Sequence, residues 1–174
     1  LTVVPTWAFR KCSSLTEISL KSATDFGTGC FQLCSLLTSI SCPQLKTADA
    51  CFDSCTSLSE LVIPKTFTKF LGSTMNSESI DVINYSITSK NNTVEKRCIP
   101  HVIVEDGTQK ISPGEFYMSD ASIDLPASIT ELGSNCFWDY WGEELVLPPN
   151  LEVIGSSALK VNTDKCTIKA PAGS

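Results

Sequence analysis

The sequence predicts a solenoid of stacked repeats of about 22 residues, with one parallel β-strand per repeat, loops elsewhere and little helix. Three features predict it because they recur with one period: an aromatic residue, a short apolar alternation that often ends at a proline, and an apolar residue five positions before the aromatic. A unit this short cannot bury its apolar side chains alone. Neighbouring units must therefore stack and share one continuous core.

The aromatic column is clearest in the first third of the chain. Segments that begin at Phe9, Phe31 and Phe52 superpose without gaps as F-x-x-C-x-x-L-x-x-[IL]. The column continues in weaker form at Met75, Phe116, Phe137 and Leu159, with one spacing of 41 residues among spacings of 21 to 23. We interpret the long spacing as two repeats and expect about eight, with residues 76–100 forming either a degenerate repeat or an insertion.

The apolar alternation predicts the strands, because successive side chains of a strand point to opposite faces. The apolar positions should face the core and the residues beside them should face solvent. Strands are predicted at residues 18–20, 40–42, 61–63, 102–104, 123–125 and 145–147.

Composition narrows the class of protein. The 174 residues include 42% hydrophobic and 18% charged residues, which is typical of an ordered domain, and we expect one repeat domain over residues 1–174. The net charge is −6 with no basic stripe, so nucleic acid is not an expected partner. No apolar run approaches the roughly 18 residues that span a bilayer. Leu1 falls inside a repeat, which suggests that the domain is part of a longer chain.

The pattern F-x-x-C-x-x-L-x-x-I-x-x-P, complete from Phe31 to Pro43, resembles the BspA-like (Treponema pallidum type) leucine-rich repeat. The match is strong over residues 4–75 and 105–159 and weak between them. Members of that family are typically surface-attached or secreted proteins of anaerobic and gut bacteria and some protozoan parasites. The resemblance therefore implies a leucine-rich repeat solenoid at the cell surface or secreted, which adheres to a host or neighbouring-cell protein or glycan.

The outward strand residues are the candidate binding surface, since a solenoid's strand face is wide and regular. Glutamate occupies three of the six positions in the first outward column, so a basic or polar partner is favoured over an anionic glycan. The candidate strand residues are Glu17, Ser19, Ser39, Ser41, Glu60, Val62, Ser122, Asp124, Glu144, Val146, Thr167 and Lys169.

The run Phe137-Trp138-Asp139-Tyr140-Trp141 is a second candidate. Trp138 and Trp141 could stack on a sugar or a partner side chain, since aromatic residues supply large contact areas at recognition surfaces. The competing interpretation, which the pattern favours, is that the run packs into the turn of a repeat in which Tyr140 replaces the usual cysteine.

Catalytic, metal and cofactor sites are not expected. Cys98 and His101 form the sharpest candidate pair, but they are at best half of a zinc site, and an exposed loop histidine is the simpler interpretation. Seven of the nine cysteines, among them Cys12, Cys34 and Cys55, fall on repeat columns and are expected to be reduced and buried.

Three functions therefore remain open at this point: an adhesion or binding module, a structural spacer or capping segment that presents another domain, and, remotely, a cysteine and histidine enzyme. The repeat pattern alone favours a binding scaffold without naming its ligand.

Overall fold

The computed structural model describes residues 1–48, 51–52, 54–70, 101–117 and 119–171, which form a parallel β-solenoid with rungs about 22 residues apart. These residues contain no helix, and so none that could span a membrane. The predicted fold class is confirmed, with two short strands per rung instead of one.

The strands form two series that alternate along the chain. The odd series is β1 Val3–Val4, β3 Asp25–Phe26, β5 Thr47–Ala48, β7 Lys69–Phe70, β9 Lys110–Ile111, β11 Glu131–Leu132 and β13 Val153–Ile154. The even series is β2 Glu17–Ser19, β4 Ser39–Ser41, β6 Glu60–Ile63, β8 His101–Val104, β10 Ser122–Asp124, β12 Glu144–Val146 and β14 Thr167–Lys169.

All described strand pairs are parallel and join equivalent strands of adjacent rungs. The even strands form the ladders β2–β4, β6–β8–β10 and β12–β14, and the odd strands form β1–β3–β5–β7 and β9–β11–β13. The six predicted strands are the first six of the even series, β2 to β12, although most begin and end one residue earlier than predicted, and β14 was not predicted. Leu20 still donates its N–H to the Ser41 carbonyl at 2.8 Å, so the ladder continues one bond beyond the assigned strand.

One rung contains a much longer connection than the others. Residues 71–100 separate β7 from β8, whereas ten to twelve residues separate the corresponding strands of the other rungs. Nevertheless β6 and β8 are direct neighbours, with Glu60 opposite His101. No strand lies between β6 and β8 in this ladder, and the choice between a degenerate repeat and an insertion for residues 76–100 lies outside the described residues. The described even series accordingly contains seven strands.

The aromatic column forms the centre of the core. Phe31 stacks between Phe9 and Phe52, with ring centroids 5.2 and 5.7 Å apart, and Phe116 stacks on Phe137 at 5.2 Å. All but Phe9 are buried. The common depth predicted for this column is therefore confirmed for the inner rungs, and Phe9 is only partly buried.

The turns around each aromatic residue use the left-handed backbone region. It occurs two residues before the aromatic and again two residues after it, as at Gly29 (φ +59°) and Leu33 (φ +65°) beside Phe31. Glycine adopts this conformation freely, whereas other residues are strained there. The other described positions of this kind are Trp7, Lys11, Ser54, Gly114, Asn135, Asp139 and Ser157.

The eight described cysteines are free thiols, and seven of them are buried. Cys34 donates its S–H to the Phe9 carbonyl at 3.0 Å, and Cys55 bonds in the same way to Phe31 at 3.1 Å, so each thiol packs on the preceding rung. Cys12 has no described rung on that side and is exposed. The prediction that it is buried was therefore wrong, and Cys98 lies outside the described residues.

Candidate functional site

The outward side chains of the even strands form one surface, which we call the strand face. Every predicted strand residue of the candidate site is exposed on it. The inward neighbours are buried or half-buried, except Ile168 on the last strand, β14, which is exposed. The alternation of outward and inward side chains that the sequence predicted is therefore confirmed. The binding role of these residues stays a prediction.

A shallow depression lies on the strand face between β2 and β4. Its lining consists of Glu17, Ile18, Ser19, Ser39, Ile40 and Ser41. Four of the predicted site residues thus lie together around two half-buried isoleucines. Hydroxyl and carboxylate groups there could accept hydrogen bonds from a partner.

The charges of the strand face are partly paired within it. Lys169 contacts Glu144 across β12 and β14, with Nζ 2.5 Å from Oε2. Glu60 and Asp124 both contact His101. Glu17, by contrast, has no ion-pair partner within the described part of the chain. The face is therefore less acidic than a count of its glutamates predicts.

His101 is the residue of the strand face that the sequence interpretation misplaced. It is the first residue of β8, half-buried on the strand face, and not an exposed loop residue. Its Nδ1 lies 3.2 Å from Oε2 of Glu60 on β6, and its Nε2 lies 2.9 Å from Oδ2 of Asp124 on β10. The signal was present, because a strand with Val102 and Val104 pointing inward must point His101 outward.

The two carboxylates favour the protonated imidazole. The hydrogen bond to Asp124 raises the pKa of His101 most, and burial, the next largest effect, lowers it. The charge of Asp124 and the contact with Glu60 add smaller increases, so the pKa is raised overall. All three side chains are at least one-third exposed, so solvent screens their attraction. The row Glu60, His101 and Asp124 nevertheless connects three adjacent strands through side chains.

An exposed apolar spot lies beside this row. Val62 and Ile103 are register partners on β6 and β8, and Val62 is 45% exposed. Apolar area next to charged groups is the composition of a protein-binding surface, in which the apolar contact supplies affinity and the charges supply orientation.

The repeat pattern is matched by a known family. The sequence matches the BspA type leucine-rich repeat region in six copies, over residues 1–100 and 90–173. The chain belongs to the BspA-type leucine-rich repeat family. The resemblance stated from the sequence is thereby confirmed, and the phenylalanine and cysteine columns of this family are the buried columns described above.

Among solved structures, this BspA-type chain is similar to a leucine-rich cell surface protein from Faecalibacterium prausnitzii A2-165, with a TM-score of 0.51 and 17% identity. The match covers 100% of this chain and 44% of that protein, so the chain spans less than half of its structural relative. At this identity the likeness shows the fold alone. No curated protein sequence matches the chain significantly.

The aromatic run of this BspA-type chain lies in the turn and loop before β12. Phe137 and Tyr140 are buried, and the Tyr140 hydroxyl donates to the Ala121 carbonyl at 2.6 Å. Trp138 packs between Tyr117, with ring centroids 4.7 Å apart, and Lys160, whose Nζ lies 5.6 Å from the ring centroid. These contacts favour the packing interpretation for Trp138, whereas Trp141 is 37% exposed beside it.

His101 and the cysteine thiols are the side chains that the sequence offered as candidates for catalysis. Both ring nitrogens of His101 face carboxylates, and no group of residues with metal-ligand geometry occurs in the described ranges. Burial raises the pKa of Cys42 and Cys136 to about 12, so these thiols stay protonated and poorly nucleophilic at neutral pH.

Proposed function

We propose that this chain is a cell-surface or secreted binding module that attaches to a protein or glycan of a host or neighbouring cell through its strand face. Membership of the BspA-type family and the likeness to a cell surface protein of the same fold support the location. A solenoid offers such a surface at little cost to its core, because outward strand residues take no part in stacking.

The observation that carries this proposal is the composition of the strand face. Its centre combines the Val62 and Ile103 spot with the carboxylates of Glu60 and Asp124, and Glu17 adds an unpaired charge at one end. This pattern fits a protein partner with apolar and basic side chains, whereas an anionic glycan would meet like charges. The partner class proposed is therefore a basic protein surface.

The experiment begins by screening the purified chain against an array of extracellular proteins and glycans. For every positive, affinity is then measured with Glu17, Glu60 and Glu144 replaced together by lysine. The wild type should bind basic proteins, and the triple variant should lose at least tenfold affinity together with the salt dependence, since charge complementarity has been reversed.

The matched control replaces Asp106, Glu152 and Asp164 by lysine. These exposed residues lie outside the even strands, and the change in net charge is the same. The control should keep its affinity. Equal losses in both variants would show only a net-charge effect, and unchanged binding in the first would exclude the strand face. Failure to bind any protein or glycan would favour the structural spacer.

A further inference from the structure

The row of Glu60, His101 and Asp124 has a geometry that a neutral imidazole cannot satisfy. Its ring nitrogens lie 3.2 and 2.9 Å from carboxylate oxygens on opposite sides. A neutral ring carries one N–H, so it can donate to one carboxylate and must turn a lone pair toward the other. Only the imidazolium can donate to both, and the observed arrangement is therefore that of the protonated ring.

We infer that these three residues form a proton-operated clasp that fastens β8 to β6 and β10 when His101 is protonated and releases one carboxylate to the strand face when it is neutral. The charged groups that contact the ring in the described residues are Glu60 from β6 and Asp124 from β10. β8 itself carries no other charged residue.

The position of the clasp indicates a structural role, which is to hold β8 in the ladder. Thirty residues separate β8 from the strand before it, whereas ten to twelve residues precede each of the other even strands. Loop-closure entropy rises with connection length, although slowly. The contacts of His101 with Glu60 and Asp124 tie β8 to both neighbouring strands and so compensate for this entropic cost. They occur at the one place where the described ladder joins strands about 40 residues apart in sequence.

The clasp also sets the charge at the centre of the strand face. Loss of the proton makes the row more negative by one charge and leaves a carboxylate without its donor. A basic partner should then bind more tightly at alkaline pH than at acidic pH. That consequence rests on the proposed function, whereas the clasp itself does not.

The pH dependence has a defined sign. The carboxylates raise the pKa of His101 above its ordinary value of 6.5, so the native state binds the proton more tightly than the unfolded chain does. The clasp therefore stabilises the fold fully below about pH 6.5, and this stabilisation is lost as pH rises through the native pKa.

The test is NMR titration of the imidazole nitrogens, which needs no partner and is unambiguous because the chain has one histidine. Both nitrogens should be protonated at pH 6, and the pKa should lie above 6.5. Asp124→Asn should lower the pKa most and Glu60→Gln less. Glu17→Gln, the matched control on the same face, should leave it unchanged.

A stability measurement separates the clasp from a merely exposed histidine. In a Glu115→Gln background, which removes another group that titrates near pH 7, urea midpoints should fall between pH 6 and pH 9, and His101→Gln should remove this fall. A pKa at or below 6.5, or one that does not respond to Asp124→Asn, would overturn the clasp whether or not any partner is found.

Discussion

At the scale of single residues, Glu115 departs most from the repeat. It occupies the position before the aromatic residue, where the other rungs have Ala8, Cys30, Cys51, Cys136 and Ala158. Its carboxyl group is 3% exposed and accepts a hydrogen bond from the Ser112 N–H at 2.8 Å. Burial raises its pKa to about 7, so the core contains a group that ionises near neutral pH.

The first prediction follows from that pKa. In the unfolded chain Glu115 ionises near its ordinary pKa of 4.5, whereas the native protein holds the proton up to about pH 7. Stability should therefore fall as pH rises from about 4.5 to 7, by up to about 3 kcal/mol. Glu115→Gln should remove most of that fall, as measured by urea unfolding at pH 5 and pH 8. Glu152→Gln, which alters an exposed residue, should leave the fall intact.

The second prediction concerns the thiols. With Cys98 replaced by serine, a thiol reagent should modify one cysteine of the native protein rapidly, namely Cys12. The seven buried cysteines should react only as the protein unfolds. Peptide mapping of the labelled protein identifies the fast site. Rapid modification of two or more thiols in the native protein, or modification of fewer than eight thiols in urea, would contradict the prediction that all eight cysteines are free and seven are buried.

At the scale of the rung, the left-handed turns cost conformational free energy, and the amount depends on the residue that occupies each turn position. Lys11 has φ +63°, a conformation that disfavours every residue with a Cβ. Lys21 is equally exposed and is not among the residues with positive φ. The same substitution should therefore have opposite effects at these two positions.

The third prediction uses this pair. Lys11→Gly should leave stability unchanged or raise it by about 0.5 kcal/mol, because relief of strain outweighs the added freedom of the unfolded chain. Lys21→Gly should lower stability by about 0.5 to 1 kcal/mol, since nothing is relieved there. Denaturant unfolding of both variants measures the difference. A loss at Lys11 as large as at Lys21 would show that the turn tolerates side chains without strain.

Much of the rung could be predicted because the environment of each core residue repeats. A buried side chain such as Phe31 packs against the equivalent residues of the neighbouring rungs. The residue type at one position therefore predicts the type at the equivalent position of the other rungs. The odd strands were missed because each contains two residues, too few for an alternation to show. Glu115 was missed because its burial comes from neighbouring rungs, and nothing in the local sequence marks a buried carboxyl group.

The candidate site was only partly predictable. Exposure of the strand residues followed from period 2, but the pairing of their charges depends on register between rungs. His101 meets Glu60, which precedes it by 41 residues, only because β8 pairs directly with β6. The contacts of Trp138 with Tyr117 and Lys160 follow a column that could have been read by aligning the repeats.

At the scale of the whole molecule, the solenoid is stabilised rung by rung, since each rung contacts mainly its neighbours. A change within one rung should therefore act locally if the register of the strands is kept. The rung with β7 and β8 offers the strictest test, because 30 residues separate its two strands in sequence although β8 still pairs directly with β6.

The fourth prediction replaces residues 71–100 by the twelve residues 27–38, which connect β3 to β4. The graft supplies one aromatic residue, Phe31, and two column cysteines, Cys30 and Cys34, at the spacing the stack requires. The shorter connection lowers the entropic cost of loop closure by less than about 1 kcal/mol. The variant should unfold cooperatively near the wild-type midpoint and keep the elevated pKa of His101. A control graft with the same twelve residues in reverse order places all three side chains off their columns and should be clearly less stable. If the two grafts unfold alike, or the first fails to fold, residues 71–100 contribute more than a lengthened rung and the insertion interpretation is wrong.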